Sequence, residues 1–95
     1  MIMMMAWTVL FKDPKRIEKA VGKLRPSAQV AFRRAIQDLR EEGPSPMGWH
    51  TKPLKGEMAG LMSLRLDYRH RMIYSVSHGT LTVMVIDVSP REGAY

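Results

Sequence analysis

The apolar positions change period along the chain. Trp7-Thr8-Val9-Leu10-Phe11 is a run of β-forming residues and predicts a strand. From Ile17 the spacing turns helical: Ile17, Ala20, Val21 and Leu24 recur at i, i+3, i+4 and i+7. Asp13-Pro14 supplies the start, an N-cap acceptor followed by proline at the first helical position. Pro26 stops this helix, because the residue before a proline is pushed out of the α region. A second helix is predicted from about Ser27 to Glu42, with Ala28, Phe32, Ala35, Ile36 and Leu39 inward. Arg33, Arg34, Gln37 and Arg40 fall mostly outside that stripe, and Gly43-Pro44 closes the helix. The two helices form an antiparallel pair across a short connection. Residues 43–60 are rich in Gly, Pro and Lys and read as a loop.

The last third alternates. Leu61–Asp67 and Arg71–Val76 read as half-buried strands, and Leu81–Val88, apolar on both faces, as a central one. His78-Gly79 is a two-residue hairpin turn. With Tyr68-Arg69-His70 as a three-residue loop, Asp67 faces Arg71, Leu66 faces Met72, Leu64 faces Tyr74 and Met62 faces Val76. The second hairpin sets Tyr74 opposite Val83, Met72 opposite Val85 and Val76 opposite Leu81. One sheet face becomes apolar and receives the helices, since a one-residue slip would invert it. The other face carries Ser63, Arg65, Asp67, Arg71, Ile73, Ser75, Thr82, Met84 and Ile86. The expected architecture is α+β: an N-terminal helical hairpin on one face of a small, mainly antiparallel twisted sheet.

Composition narrows the class. The chain has 95 residues, 45% of them hydrophobic and 25% charged, which fits one globular domain spanning 1–95. Residues 1–5, Met-Ile-Met-Met-Met, read as a frayed tail. No apolar run is long enough to span a bilayer, and no targeting signal is visible, so a cytoplasmic location is expected. Zero cysteines exclude a disulfide framework, a Cys-ligated zinc site and a thiol nucleophile. The net charge of +6 suits nucleic acid, an anionic membrane or an acidic protein as partner. Residues 1–48 hold nine basic and five acidic groups, and residues 49–95 six and four. Neither helix joins a wide apolar face to a coherent basic one, so no membrane partner is expected.

Candidate chemistry gathers on the open sheet face. Arg65 and Arg71 together could clamp an anion, because guanidinium donates in a fork that matches phosphate oxygens. The competing reading for Arg71 is a pair with Asp67 across the hairpin. Lys52 and Lys55 either line a phosphate path or stand as solvated loop residues. Among His50, His70 and His78 the spacing fits no metal motif. His70, beside Arg71 at the hairpin tip, is the better acid/base candidate, and His78 a turn residue. Trp49 and Tyr68 could stack bases, or serve as a core lid and an exposed turn aromatic. Arg91 and Tyr95 follow the central strand, where a short tail can fold over the open face.

The assembled pieces resemble the RelE/ParE superfamily of toxin–antitoxin toxins. The carriers are the opening strand Trp7–Phe11, the helical hairpin ending at Gly43-Pro44, and Lys52-Pro53-Leu54-Lys55-Gly56. Gly60–Leu66, Tyr68–Tyr74 and Val85–Glu92 follow in order. The resemblance implies the toxin of a type II system, either a ribosome-dependent mRNA endoribonuclease (an mRNA interferase) or a ParE-like, non-catalytic gyrase inhibitor. In the ribonuclease branch the 2′-hydroxyl attacks the adjacent phosphate without a metal or any other cofactor. That reaction needs a base, cations around phosphorus and an acid for the leaving oxygen.

By position, the resemblance implies that Arg65, Arg71 and Arg91 stabilise the phosphorane, and that His70 or Tyr95 moves the proton. Lys52, Lys55 and Arg69 would bind RNA. Ser63 stands where some members carry a second basic residue, and Ser89-Pro90 where a Gly-basic pair is usual. The implied partners are a cognate antitoxin, mRNA in the ribosomal A site, and operator DNA only indirectly through the antitoxin.

Overall fold

The computed structural model describes residues 7–88. Strand β1 (Thr8–Phe11) leads into helices α1 (Pro14–Gly22) and α2 (Pro26–Glu42). Strand β2 (Thr51–Pro53), a 3-10 turn at Gly56–Met58, and strands β3 (Leu61–Arg65), β4 (His70–Ser77) and β5 (Thr80–Val88) complete the order. The five strands form one sheet in the order β1-β5-β4-β3-β2. Three of its pairings are antiparallel, and β1 runs parallel to β5. No helix among the described residues is long and apolar enough to cross a membrane.

The helix boundaries follow from caps. Asp13 accepts from the Arg16 amide at 3.2 Å and Pro14 opens α1. The helix ends at Gly22, so Leu24 reaches the core from just beyond it and is 6% exposed. Pro26 is the first residue of α2, where its missing N–H costs nothing. Gly43 ends α2 at φ +91°, and the Trp7 indole lies where a Cβ would stand. The Trp7 amide donates to the Arg40 carbonyl at 2.7 Å, tying the entry to β1 onto the end of α2.

The helices pack on one sheet face. Ile17, Ala28, Ala35, Ile36 and Leu39 meet Leu64, Met72, Tyr74, Leu81 and Val83, all buried. Tyr74 is fully buried and its hydroxyl donates to the Pro44 carbonyl. Burial pushes its phenol pKa up to about 12, because the charged form would lose water.

Three expectations need correction. Residues 51–53 are a strand inside the segment read as loop. β2 is short and contains Pro53, which an edge position tolerates but which hides the alternation.

The β3–β4 hairpin is also longer than a three-residue loop allows. Arg65, not Asp67, pairs with Arg71, Leu64 with Met72, and Met62 with Tyr74. The Asp67 carboxylate accepts from the Arg69 and His70 amides at 2.8 and 2.7 Å, building the wider turn. The two-residue shift leaves the face assignment of β3 intact, since side chains alternate with period two.

The third correction is a bulge. Tyr74 pairs with Val83, Ser75 with Thr82 and Val76 with Leu81, as the two-residue turn requires. His78 and Gly79 both have positive φ there, 45° and 83°. Beyond Tyr74 the register slips: Ile73 pairs with Val85, Met72 with Ile86 and Arg71 with Asp87. Met84 is the extra residue. Ile86 therefore turns to the helix side, where it packs on the core, while Val85 and Asp87 take the open face.

Candidate functional site

Adjacent strands lie about 4.8 Å apart, so residues in register form rows across the sheet. One row on the open face runs Arg65, Arg71, Asp87 over β3, β4 and β5. The β2–β3 ladder continues past β2, because the Arg65 amide donates to the His50 carbonyl at 3.0 Å. His50 thus stands in register with Arg65, and alternation puts it on the face that carries Lys52, two residues on. The row is His50, Arg65, Arg71, Asp87. The next row is Lys52, Ser63, Ile73, Val85. Ile73 is fully buried and Ser63 is 4% exposed, although neither belongs to the helix-side core. The cations border a dry strip rather than open water.

Charges along the row are uneven. Two arginines directly opposite each other repel. Asp87 relieves one of them: its Oδ2 accepts from Nε and Nη2 of Arg71, both at 3.1 Å. The Asp67–Arg71 pair, the competing reading for Arg71, is replaced by Asp87–Arg71: the wider turn takes Asp67 away from Arg71, and the bulge brings Asp87 opposite it. Arg65 is exposed and has no carboxylate in ion-pair reach among the described residues. An anion placed between Arg65 and Arg71 would meet one unpaired guanidinium and one already held in place by Asp87.

His70 is set apart from this row. It follows the alternation of Met72 and Tyr74, on the helix side of β4. Its Nδ1 lies 3.0 Å from Oδ1 of Asp67. Asp67 also meets Nε of Arg25, at the α1–α2 corner, at 3.5 Å. Burial raises the Asp67 carboxyl pKa, but the Arg69 amide, the His70 ring and the His70 amide outweigh it and hold the group below its ordinary value. The Arg25 guanidinium sits 4.9 Å above the Tyr68 ring. This cluster fastens the hairpin tip to the helix corner.

The other expected residues are spread out. Lys52 is exposed on the edge strand of the open face. Lys55 is exposed just before the 3-10 turn, and Arg69 is exposed at the hairpin tip. Arg91 and Tyr95 lie outside the described residues. Trp49 takes the lid role: Nε1 donates to Oδ2 of Asp38 at 2.8 Å and the ring packs on the core. His50 is the residue that sequence reasoning passed over. Its spacing of two from Lys52 was visible, but it signals a shared face only once β2 is recognised as a strand.

No protein-family model matches the sequence, and no curated protein matches it either. Solved structures do. The archaeal RelE–RelB complex from Pyrococcus horikoshii is similar at a TM-score of 0.73 and 23% identity, over 92% of this chain and 99% of that one. The YoeB/ParE toxin from Agrobacterium tumefaciens gives 0.69 and 22%, over 87% and 99%. The YoeB–YefM toxin–antitoxin complex from Staphylococcus aureus gives 0.66 and 18%, over 85% and 94%. The chain shares the fold of these RelE and YoeB toxins.

Proposed function

We propose that this chain is the toxin of a type II toxin–antitoxin system and cleaves mRNA on the ribosome at its open sheet face, in the cytoplasm. The observation carrying the reading is the row of His50, Arg65 and Arg71 on the face opposite the helices. In the reaction the 2′-oxygen bonds to the adjacent phosphorus, giving up its proton to a base. The bond to the 5′-oxygen breaks, that oxygen takes a proton, and a 2′,3′-cyclic phosphate remains. Arg65 and Arg71 supply fixed positive charge for the phosphorane, each able to donate two N–H groups. The imidazole of His50 can both accept and donate a proton, so it is suited to the proton transfers. His70, bound to Asp67 on the other side, is not. Arg91 and Tyr95 join the site if the tail crosses this face, with Lys52, Lys55 and Arg69 along the RNA path.

A cognate antitoxin is the second half of the proposal. Toxins of this fold have been solved with RelB and YefM. An acidic segment laid on the open face would neutralise Arg65 and block RNA together, and its grip should weaken as salt rises.

The test is cleavage of mRNA by the protein on translating ribosomes, with Arg65→Ala, Arg71→Ala and His50→Ala. Each should slow cleavage at least tenfold. Undiminished cleavage by all three would remove the site from this face. The Arg71–Asp87 pair favours a second reading, a non-catalytic inhibitor of DNA gyrase, because it thins the cationic set. Loss of gyrase supercoiling without any mRNA cleavage would select it.

A further inference from the structure

We propose that the outward ridge of α1 is a docking surface for the phosphate backbone of structured RNA, separate from the open sheet face. The choice of RNA rests on the proposed function, whereas the polyanion site rests on the helix alone. Residues 12–25 carry six basic and two acidic groups, so +4 of the chain's +6 lies in this one segment. Residues 26–48 carry three of each and are neutral. The helix layer is therefore net positive on α1 and balanced on α2.

The charges are also aligned. Ile17 is the buried residue of α1. At about 100° per residue, Lys15, Lys19 and Lys23 fall within roughly 80° of one another, on the side opposite Ile17. At 1.5 Å per residue they span about 12 Å. All three are exposed, as are Lys12 and Arg16 beside them. Among the described residues, none of these five takes part in an ion pair. Asp13 is engaged in capping the helix through the Arg16 amide. Like charges at i and i+4 destabilise a helix. The dipole at the end of α1 offsets part of this for Lys19 and Lys23, but Lys15 in the first turn has no such support, and a polyanion would relieve the repulsion along the whole ridge.

The chemistry of the ridge selects a nucleic acid over an acidic protein. Protein interfaces rely on central aromatic or apolar anchors. Among the described residues the large exposed apolar side chains are Leu10, Val30, Met47, Tyr68, Val76 and Val88, and none lies on α1. Nucleic-acid interfaces are polar and strongly positive, and lysine serves them as a point charge needing no fixed geometry. A membrane would likewise require an apolar flank, which this ridge lacks.

The experiment compares the full chain with its Lys15→Gln/Lys19→Gln/Lys23→Gln variant. Binding to a dye-labelled RNA hairpin of about 20 nucleotides is read by anisotropy across a salt series. Glutamine is a good helix former, so the variant should keep its helicity and melting temperature. Three lost phosphate contacts should lower the slope of log affinity against log salt by about 2 to 3, and affinity at 0.1 M salt on the order of 100-fold. An unchanged slope overturns the proposal. So does loss of binding to a polyglutamate peptide with RNA binding intact, which would make the ridge a protein site. A DNA duplex of equal length that binds these lysines more tightly overturns the choice of RNA. Cleavage is not read in this assay, so failure of the ribonuclease reading and failure of the ridge are distinguishable.

Discussion

Replacing Gly43 by alanine isolates one joint of the fold. Gly43 sits at φ +91° and ψ −161°, a region that only glycine occupies without strain. Forcing an L side chain there costs about 1–3 kcal/mol. The new Cβ would also stand 2.7 Å from Nε1 and 2.8 Å from Cε2 of Trp7. The indole cannot swing aside freely. It packs on the core, and its own backbone amide is held by the Arg40 carbonyl at 2.7 Å. Overpacking of this kind costs about 1–3 kcal/mol more. The two costs together come to about 4 kcal/mol at their midpoints, a large share of the stability of a domain of this size.

Each kcal/mol moves the midpoint of a small domain by about 4–8 °C, so Gly43→Ala should melt about 15–30 °C lower. Gly22→Ala is the matched control. A Cβ there meets nothing within 4 Å, and φ is not positive. Alanine in that last helical turn should raise stability by about 0.5–1 kcal/mol. Circular dichroism on thermal and urea unfolding reads both. A Gly43→Ala protein within 1 kcal/mol of the parent would refute the claim that Trp7 and Gly43 form a rigid contact.

Three further outcomes follow from side-chain partners. Asp67→Asn should cost about 1–2 kcal/mol at pH 7, because the carboxylate accepts two amides and faces two bases. Its folded pKa lies below the unfolded value near 3.8. That stability is present above about pH 4 and fades as pH falls through the folded value, so urea midpoints of the two proteins should converge in acid; a constant gap would count against it. Tyr74→Phe should lose about 1 kcal/mol through the Pro44 bond, and remove the phenolate that appears near pH 12 in ultraviolet titration. In the parent, burial of the neutral phenol stabilises below about pH 10, and that part is lost as pH climbs toward 12. Asp87→Asn should change stability by less than about 1 kcal/mol, since the carboxylate is 39% exposed. It should steepen the salt dependence of RNA binding by nearly one contact, and an unchanged slope would take Arg71 off the phosphate path.

Which parts could be read from the chain depended on whether a local signal existed. Asp13-Pro14 and Gly43-Pro44 are caps written in adjacent residues, and α1 and α2 begin and end close to them. The apolar face of β3, β4 and the first part of β5 follows from alternation, which survives a two-residue slip, whereas beyond Val83 the bulge reverses the expected faces of β5. The hairpin register did not, because Asp67 lengthens the turn by accepting two amides rather than by facing Arg71. β2 has three residues and a proline, too few for a period to show. The parallel partnership of β1 and β5 joins segments far apart in sequence, and alternation says nothing about direction. The open-face arginines were placed correctly together, whereas their companions changed: His70 left the row and His50 entered it.

Met84 links the legible and illegible parts. Leu81–Val88 is apolar at nearly every position, so pattern gives no preference between its two faces after Val83. The pairing with β4 makes the choice. Once one residue is extra, Ile86 gains the core and Asp87 is carried to the side of Arg71. Without the bulge, Asp87 would face the helix layer and Ile86 would face Arg71. Arg65 and Arg71 would then repel with no carboxylate between them and β5. The bulge therefore satisfies burial on one face and charge on the other in a single step. It also sets the electrostatics of the proposed site, because the cation count of the row is fixed by which side of β5 Asp87 takes. Deleting Met84 removes the extra residue, so Val85 follows Val83 directly while Ile86 and Asp87 keep their partners Met72 and Arg71. A sharp melt and RNA binding close to the parent's are the expected result. A Met84-deleted chain that loses its cooperative melt and its RNA binding would refute the reading that the bulge only sets which faces Ile86 and Asp87 take.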